Sequence, residues 1–161
     1  MPLKLAVIAV GNLRERYYRE ACAEYGKRLA VLRPVEMIEI QEEPVPDEGV
    51  AGLVDRALER EGRRILNQLR PDDAAAALTP GGGMMGSADF ARAIDPAADP
   101  NCKRLVFIIG SSHGLDRAVY DRCRWKLSFG PMTFPHQLAR VMLLEQIYRG
   151  EMILRNRAYH K

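Results

Sequence analysis

Short apolar runs alternate along this chain with stretches in which apolar residues recur every three or four positions. The first pattern is typical of buried strands and the second of amphipathic helices. Strands are expected over residues 3–10, 35–40, 74–79, 104–109 and 126–128. Helices are expected over residues 18–32, 53–69, 87–94, 116–124 and 135–148. Regular alternation of the two elements predicts an α/β fold, with a mainly parallel sheet and helices on both faces.

The length and composition fit one ordinary globular domain spanning residues 1–161. The chain has 161 residues, of which 47% are hydrophobic and 28% are charged, and domains usually contain about 100–200 residues. No apolar run approaches the roughly 20 residues of a membrane helix. The three cysteines are isolated and form no Cys-x-x-Cys pair, which suits a reduced, cytoplasmic location and predicts no bound metal.

The net positive charge is confined to the end of the chain. Residues 140–161 contain five basic and two acidic residues, which accounts for the whole formal charge of +3. We therefore expect an anionic partner at this segment.

Residues 81–86 match the pattern G-x-G-x-x-G of dinucleotide-binding loops. The match follows an expected strand, but the next strand ends at Ile109-Gly110 without the acid that would hold a ribose. We interpret the segment 80–86 as a flexible loop, followed by a helix that Ser87 caps.

Residues 110–114 match G-x-S-x-G, the turn that carries the nucleophile of many hydrolases. Ser112 would be the nucleophile, with His136 or His160 as its base. Only 47 residues follow Gly114, which is too few for the remaining strands of that fold. The other interpretation is a glycine-rich turn where a ligand closely approaches the backbone.

Ligands of open parallel sheets bind beyond the carboxyl ends of the strands. Here those ends are followed by loops after Val10, Thr79, Ile109 and Ser128, and three of the four are rich in Gly, Ser or Pro. The sequence therefore places a ligand site at this edge of the sheet.

Six motifs, in order, carry a resemblance that covers nearly the whole chain. They lie at residues 9–13, 24–29, 61–66, 107–115, 132–149 and 159–161. Together they resemble the RlmH (YbeA) family, the ribosomal RNA large-subunit methyltransferases H of the SPOUT superfamily. The resemblance implies an α/β domain with a C-terminal trefoil knot, a homodimer, and S-adenosylmethionine as cofactor. The implied substrate is N3 of a pseudouridine in helix 69 of 23S ribosomal RNA, methylated on the assembled ribosome.

The resemblance also implies a set of cofactor-binding residues in three loops. These residues are Leu78, Gly110, Ser128, Phe129, Gly130, Pro131, Met132, Thr133 and Phe134. They follow three of the strand ends at which a ligand site is expected.

Removal of the N3 proton needs a base, and His113, His136, His160 and Tyr159 are candidates. The resemblance places Tyr159 and His160 at an active site, either that of their own subunit or that of the partner subunit. His113 stands where the family has an acid. If that acid takes part in proton transfer, either His113 replaces it or the role lies elsewhere. We interpret His136 as structural, holding a loop through its ring nitrogens.

Four arginines near the end of the chain have two interpretations. Arg140, Arg149, Arg155 and Arg157 either contact ribosomal RNA or form a solvated helix face. The altered turn at residues 110–115 also leaves open a catalytically silent relative that binds ribosomes. A serine hydrolase that uses Ser112 is the remaining alternative.

Overall fold

A computed structural model describes residues 2–159 and gives this part of the chain five strands and five helices. The strands are β1 (Lys4–Val10), β2 (Val35–Ile40), β3 (Ala74–Gly83), β4 (Arg104–Ile109) and β5 (Trp125–Leu127). The helices are α1 (Arg16–Ala30), α2 (Leu53–Gln68), α3 (Ser87–Ala93), α4 (Arg117–Arg122) and α5 (His136–Leu154).

The five strands form one sheet in the order β2-β1-β4-β3-β5, and every pairing is parallel. Side chains of a strand alternate between the two faces. In β1, Leu5, Val7 and Ala9 pack on one face, where α1, α3 and α5 cover them. Ala6, Ile8 and Val10 pack on the other face with α2 and α4. The predicted α/β class is confirmed, and the knot remains a prediction about chain threading.

Strand β3 is longer than predicted. Pro80 to Gly83 continue the strand, because Gly83 pairs with Leu127 of β5 beyond an irregularity in the register. A Cβ at Gly82 would lie 2.7 Å from the Lys126 carbonyl oxygen, so glycine allows the two backbones to approach. The prediction of a loop over 80–83 is wrong, and a strand cannot form the phosphate-binding turn of a dinucleotide loop.

Two predicted helix boundaries differ from the structure. Helix α3 has Gly86 at its N-cap, and the Ser87 hydroxyl instead donates to Gln146 Oε1 at 2.7 Å. Helix α5 begins at His136, with Pro135 at its N-cap, and it continues to Leu154 instead of ending at residue 148. The extra turns place Arg149 in the helix that packs on α1 and α3.

A buried ion pair joins the amino ends of β3 and β4. Arg104 donates from Nε to Asp73 Oδ1 at 3.0 Å and from Nη2 to Asp73 Oδ2 at 2.5 Å. The two side chains are 3% and 1% exposed. The guanidinium also donates to the Gln68 carbonyl oxygen at 2.9 Å. This network therefore links the two strands to the end of α2, at the sheet edge opposite the strand ends that carry the candidate site.

Candidate cofactor pocket and active site

A cavity of about 600 Å³ lies beyond the carboxyl ends of β3, β4 and β5. Its walls come from the end of β3, the turn at residues 109–114, and the loop at residues 129–135. Two helices complete it, through Tyr120 of α4 and through His136 and Ala139 of α5. The sequence predicts a ligand site at this position, because ligands of open parallel sheets bind beyond the carboxyl ends of the strands; we call this the strand-end rule.

Seven of the nine residues expected to bind the cofactor line this cavity. They are Leu78, Gly110, Phe129, Gly130, Met132, Thr133 and Phe134. Pro131 is exposed, and the buried Ser128 faces a different cavity. The Ser128 hydroxyl donates to the Pro80 carbonyl oxygen at 3.0 Å and accepts from the Gly130 amide at 3.0 Å. Ser128 therefore holds the loop against β3.

The turn after β4 brings the backbone to the surface of the cavity. The Gly114 amide donates to the Ser111 carbonyl oxygen at 3.0 Å, and the two residues also form a β-bridge. A Cβ added at Gly110 would lie only 2.3 Å from the Gly114 carbonyl oxygen. No side chain fits at Gly110, so the cavity is bounded there by backbone.

A buried carboxyl group anchors this turn to helix α2. Glu61 is 3% exposed. It accepts from the Glu43 amide at 2.9 Å and forms a side-chain hydrogen bond with Ser111. Burial raises the pKa of Glu61, and the two hydrogen bonds oppose that shift. Ser111 is therefore held by Glu61.

His113 lies outside the cavity wall. Its Nε2 is 2.9 Å from Glu48 Oε1, in the loop before α2. Its neighbours Ser112 and Gly114 line the cavity, whereas His113 does not. This geometry gives His113 a contact with the surface loop and does not support its role as the base.

His136 lines the cavity at the first turn of α5. Its ring makes no hydrogen bond to any residue between 2 and 159, so this part of the chain gives no support to the interpretation that it holds a loop through its ring nitrogens. Burial lowers the pKa of His136 below its ordinary value, and Arg140 and Arg14 add to that effect while Glu42 opposes it. The imidazole is therefore neutral near pH 7.

Tyr159 is held by a cluster on α5, away from the cofactor cavity. Its hydroxyl donates to Glu145 Oε1 at 3.2 Å, and its ring packs edge-on against Tyr148 with centroids 4.8 Å apart. The Arg149 guanidinium lies 4.9 Å from the centre of the same ring. Burial, with the nearby Glu145 carboxylate, raises the pKa of Tyr159 to about 12. A phenol with this pKa is protonated at neutral pH. His160 lies outside the described residues.

The four arginines expected to contact RNA have different environments. Arg140 is 3% exposed and donates to Glu39 Oε2 at 2.8 Å and to the Gly11 carbonyl oxygen at 3.1 Å. It thus ties α5 to the ends of β1 and β2 and presents no free face to a phosphate. Arg155 donates to the Leu32 carbonyl oxygen at 3.0 Å and pairs with Glu151. Arg157 is exposed.

A second cavity, of about 490 Å³, lies on the other side of the loop that contains Phe129. Met84, Met85 and Met142 contribute to its apolar wall, and Glu145 of the Tyr159 cluster lines it. Leu127 and Phe129 line both cavities. The loop that contains Phe129 therefore separates the cluster around Tyr159 from the cavity beyond β3, β4 and β5, which we call the cofactor cavity.

The sequence analysis missed the cavity residues that lie on helices α4 and α5. Tyr120 and Ala139 line the cavity from these helices, whereas the expectation that ligands bind beyond strand ends considers only loops. Ala139 lies one helical turn after His136, and this spacing is the signal that could have identified it. Within residues 2–159, no cluster of potential metal ligands occurs and no helix is long and apolar enough to cross a membrane.

Known proteins share this sequence and this fold. Residues 3–160 match the family model described as "Predicted SPOUT methyltransferase". The chain is 41% identical, over 159 residues, to "Ribosomal RNA large subunit methyltransferase H" from Lactococcus lactis subsp. lactis (strain IL1403), covering 99% of this chain and all of that protein. A crystal structure of a probable methyltransferase from Bordetella pertussis Tohama I is similar in fold, with a TM-score of 0.56 and 14% identity. It covers 92% of this chain and 95% of that one. The chain belongs to the SPOUT methyltransferases, in the family of ribosomal RNA large subunit methyltransferase H.

Proposed function

We propose that this protein uses S-adenosylmethionine to methylate large-subunit ribosomal RNA in the cytoplasm. The proposed target is N3 of a pseudouridine in helix 69 of 23S rRNA, within the assembled ribosome. The observation that carries the proposal is the cavity beyond β3, β4 and β5, whose wall includes seven of the nine residues expected to bind the cofactor. The full-length similarity to an rRNA methyltransferase supports the choice of substrate.

The cavity has a size and a lining that suit the cofactor. Small-molecule sites usually measure about 300–1,000 Å³ and combine apolar walls with a few polar groups. Apolar residues such as Leu78 and Phe134 can cover the adenine, while the backbone at Gly110 can approach it closely. When bound, the sulfonium of adenosylmethionine supplies an activated methyl group, so methyl transfer needs no metal ion.

The protein's own contribution is alignment and proton removal. Holding the two reactants in line can lower the barrier by about 7–11 kcal/mol. The loop at 129–135 and the turn at 110–114 would hold adenosylmethionine from two sides. A positioned base adds a further factor of about 10²–10⁴.

The tail residues Tyr159 and His160 are proposed to act at the active site of a partner subunit in a homodimer. Apolar side chains support a subunit contact beside the cavities, since Met84 is 72% and Met132 is 73% exposed. The raised pKa of Tyr159 keeps its hydroxyl protonated at neutral pH, and that proton is donated to Glu145. We therefore assign Tyr159 the role of orienting the substrate through a hydrogen bond that its hydroxyl oxygen accepts.

Arg149, Arg155 and Arg157 form the proposed RNA-contacting set. They lie on the last turns of α5 and in the tail, where the chain's excess positive charge is concentrated. Phosphate contacts of this kind weaken as salt rises. Arg140 is left out of the set because it is buried.

The proposal is tested by methyl transfer from radiolabelled adenosylmethionine to ribosomes that lack this modification. We expect label at the helix 69 pseudouridine in ribosomes and none in free rRNA. Cofactor binding without any label supports the alternative of a silent ribosome-binding relative. Absence of both cofactor binding and label overturns the methyltransferase proposal.

The Ser112→Ala variant separates the methyltransferase from the hydrolase alternative. Ser112 is exposed, and no histidine among residues 2–159 hydrogen-bonds to its hydroxyl. We expect the variant to keep methyl transfer within about tenfold of the wild type, which corresponds to less than about 1.4 kcal/mol. An esterase activity that disappears in this variant would instead identify Ser112 as a nucleophile.

A further inference from the structure

We propose that His136 is the base that accepts the N3 proton during methyl transfer. The inference rests on the proposed function, because it concerns the reaction of a nucleobase nitrogen in the cofactor cavity. It selects one of the four candidate bases, and it replaces the structural role that the sequence suggested for His136.

Geometry distinguishes His136 from the other candidates. It is the one histidine between residues 2 and 159 that lines the cofactor cavity. His113 is turned toward Glu48, and Tyr159 donates its proton to Glu145. The ring nitrogens of His136 are unbonded to the described protein and are available to a substrate.

The position of His136 lets a substrate reach it from outside the cavity. Its Cε1 atom lies 3.4 Å from the place that a Cβ at Gly11 would occupy. Gly11, Asn12 and Arg14 line a separate groove of about 350 Å³ at the ends of β1 and β2. His136 thus lines the cofactor cavity and lies beside Gly11, which lines the groove. A nucleotide held in the groove would approach the imidazole past Gly11, which has no side chain to block the ring.

The charges around the ring suit a neutral base that becomes cationic for a short time. Glu42 Oε2 also lies 3.4 Å from the Cβ position at Gly11, so the carboxylate and the imidazole flank the same point. Glu42 favours the imidazolium, whereas burial, Arg140 and Arg14 favour the neutral ring. The Arg140 charge is itself paired with Glu39. The imidazole of His136 is neutral before the reaction, and Glu42 stabilises the imidazolium that forms when the ring accepts the proton.

The proposed step is balanced in atoms and electrons. The N3–H bond breaks, and its electron pair remains on nitrogen and forms the new bond to the methyl carbon. The carbon–sulfur bond breaks with its electron pair moving to sulfur, which removes the positive charge of the sulfonium. The proton passes to a ring nitrogen of His136 and then to water, which returns the base to its neutral form.

The test compares wild-type protein with His136→Gln, which keeps a polar side chain without a titratable nitrogen. At saturating adenosylmethionine we expect kcat on ribosomes to fall by about 10²–10⁴-fold. Cofactor affinity, measured by calorimetry, should change by less than tenfold, or about 1.4 kcal/mol. A merely structural role for His136 would instead lower the melting temperature and the cofactor affinity together with kcat.

Two pH measurements provide a readout that a structural role would not move. The wild-type kcat should fall as pH drops through a pKa below 6.5, the ordinary histidine value, and this acidic limb should be absent in His136→Gln. The His136 Cε1–H resonance of the cofactor-free protein should titrate below 6.5 as well. Unchanged kcat in His136→Gln, or a ring pKa above 6.5, overturns the inference.

A third variant separates failure of this inference from failure of the proposed function. If His113→Gln lowers kcat by the stated factor while His136→Gln does not, the base is His113 and the methyltransferase proposal stands. If wild-type protein transfers no methyl group to ribosomes, the proposed function fails and this inference fails with it.

Discussion

The Gly110→Ala variant is expected to lose cofactor binding while remaining largely folded. Its Cβ would lie 2.3 Å from the Gly114 carbonyl oxygen and 2.9 Å from Leu115 Cγ. Relief requires the backbone of the turn to move, since a carbonyl oxygen in a β-bridge cannot rotate away as a flexible side chain can. Such overpacking costs about 1–3 kcal/mol of folding stability. Because the turn forms a wall of the cavity, the displacement also opens the cofactor site.

We expect the affinity of Gly110→Ala for adenosylmethionine to fall about 100-fold or more, which corresponds to about 2.7 kcal/mol. Calorimetric titration measures the affinity, and chemical denaturation measures the folding stability. Gly26→Ala is the matched control. Gly26 is in helix α1, and apart from its chain neighbours and the backbone of that helix no atom lies within 4 Å of a Cβ at this position. Alanine there should stabilise the helix by about 0.5–1 kcal/mol and leave cofactor affinity unchanged. Wild-type affinity in Gly110→Ala would show that the turn does not bound the cofactor site.

The sequence predicted the sheet and the location of the site for a simple physical reason. Burial on both faces makes strands such as β1 and β4 continuously apolar, and that signal is local. The strand-end rule then places a ligand beside the following loops. The cavity at Gly110 and in the loop after β5 lies where these two arguments put it.

Pairing between distant segments explains what the sequence could not predict. Residues 80–83 look like a loop because Pro and Gly punctuate turns, yet pairing with β5 keeps them in a strand. Arg140 looks like one of a row of helical cations, yet it is buried and bonds to Glu39 of β2 and to Gly11, which follows β1. His136 looks structural until its ring is found in the cavity wall. Each outcome depends on a partner far away in the chain.

The carboxyl and amino ends of the strands differ in what they contribute: the carboxyl ends form the candidate site, and the amino ends contribute to folding stability. The carboxyl ends of β3, β4 and β5 bear the cavity, which is bounded by backbone at Gly110 and by neutral side chains. The amino ends of β3 and β4 hold the buried pair of Asp73 and Arg104. We therefore expect changes at this pair to alter folding stability without altering the chemistry of the site.

The Asp73→Asn variant should lower the free energy of unfolding by about 3–5 kcal/mol, the usual cost of removing one partner of a buried ion pair. The Arg104 guanidinium stays 97% buried in the fold and would lose its bidentate acceptor. Asp72→Asn is the matched control, because the neighbouring Asp72 side chain is 58% exposed and 4.0 Å from Lys103. Exposed pairs contribute about 0–1 kcal/mol. Denaturant unfolding measures both variants.

Wild type and Asp73→Asn should differ in their free energy of unfolding. The pH dependence of this difference shows whether the ionised carboxylate causes it. Burial alone would raise the pKa of Asp73, but the hydrogen bonds from Arg104 and from the Arg70 amide outweigh burial and lower it below the ordinary value of 3.8. A lowered pKa in the folded state means that the carboxylate contributes its full stability above pH 3.8. That contribution is lost as pH falls through the folded-state pKa. The difference in unfolding free energy should therefore stay constant from about pH 5 to pH 8 and shrink below about pH 4. A difference that persists unchanged in acid would show that Asn fails for reasons of shape, and that the charge of Asp73 does not hold the two strands together.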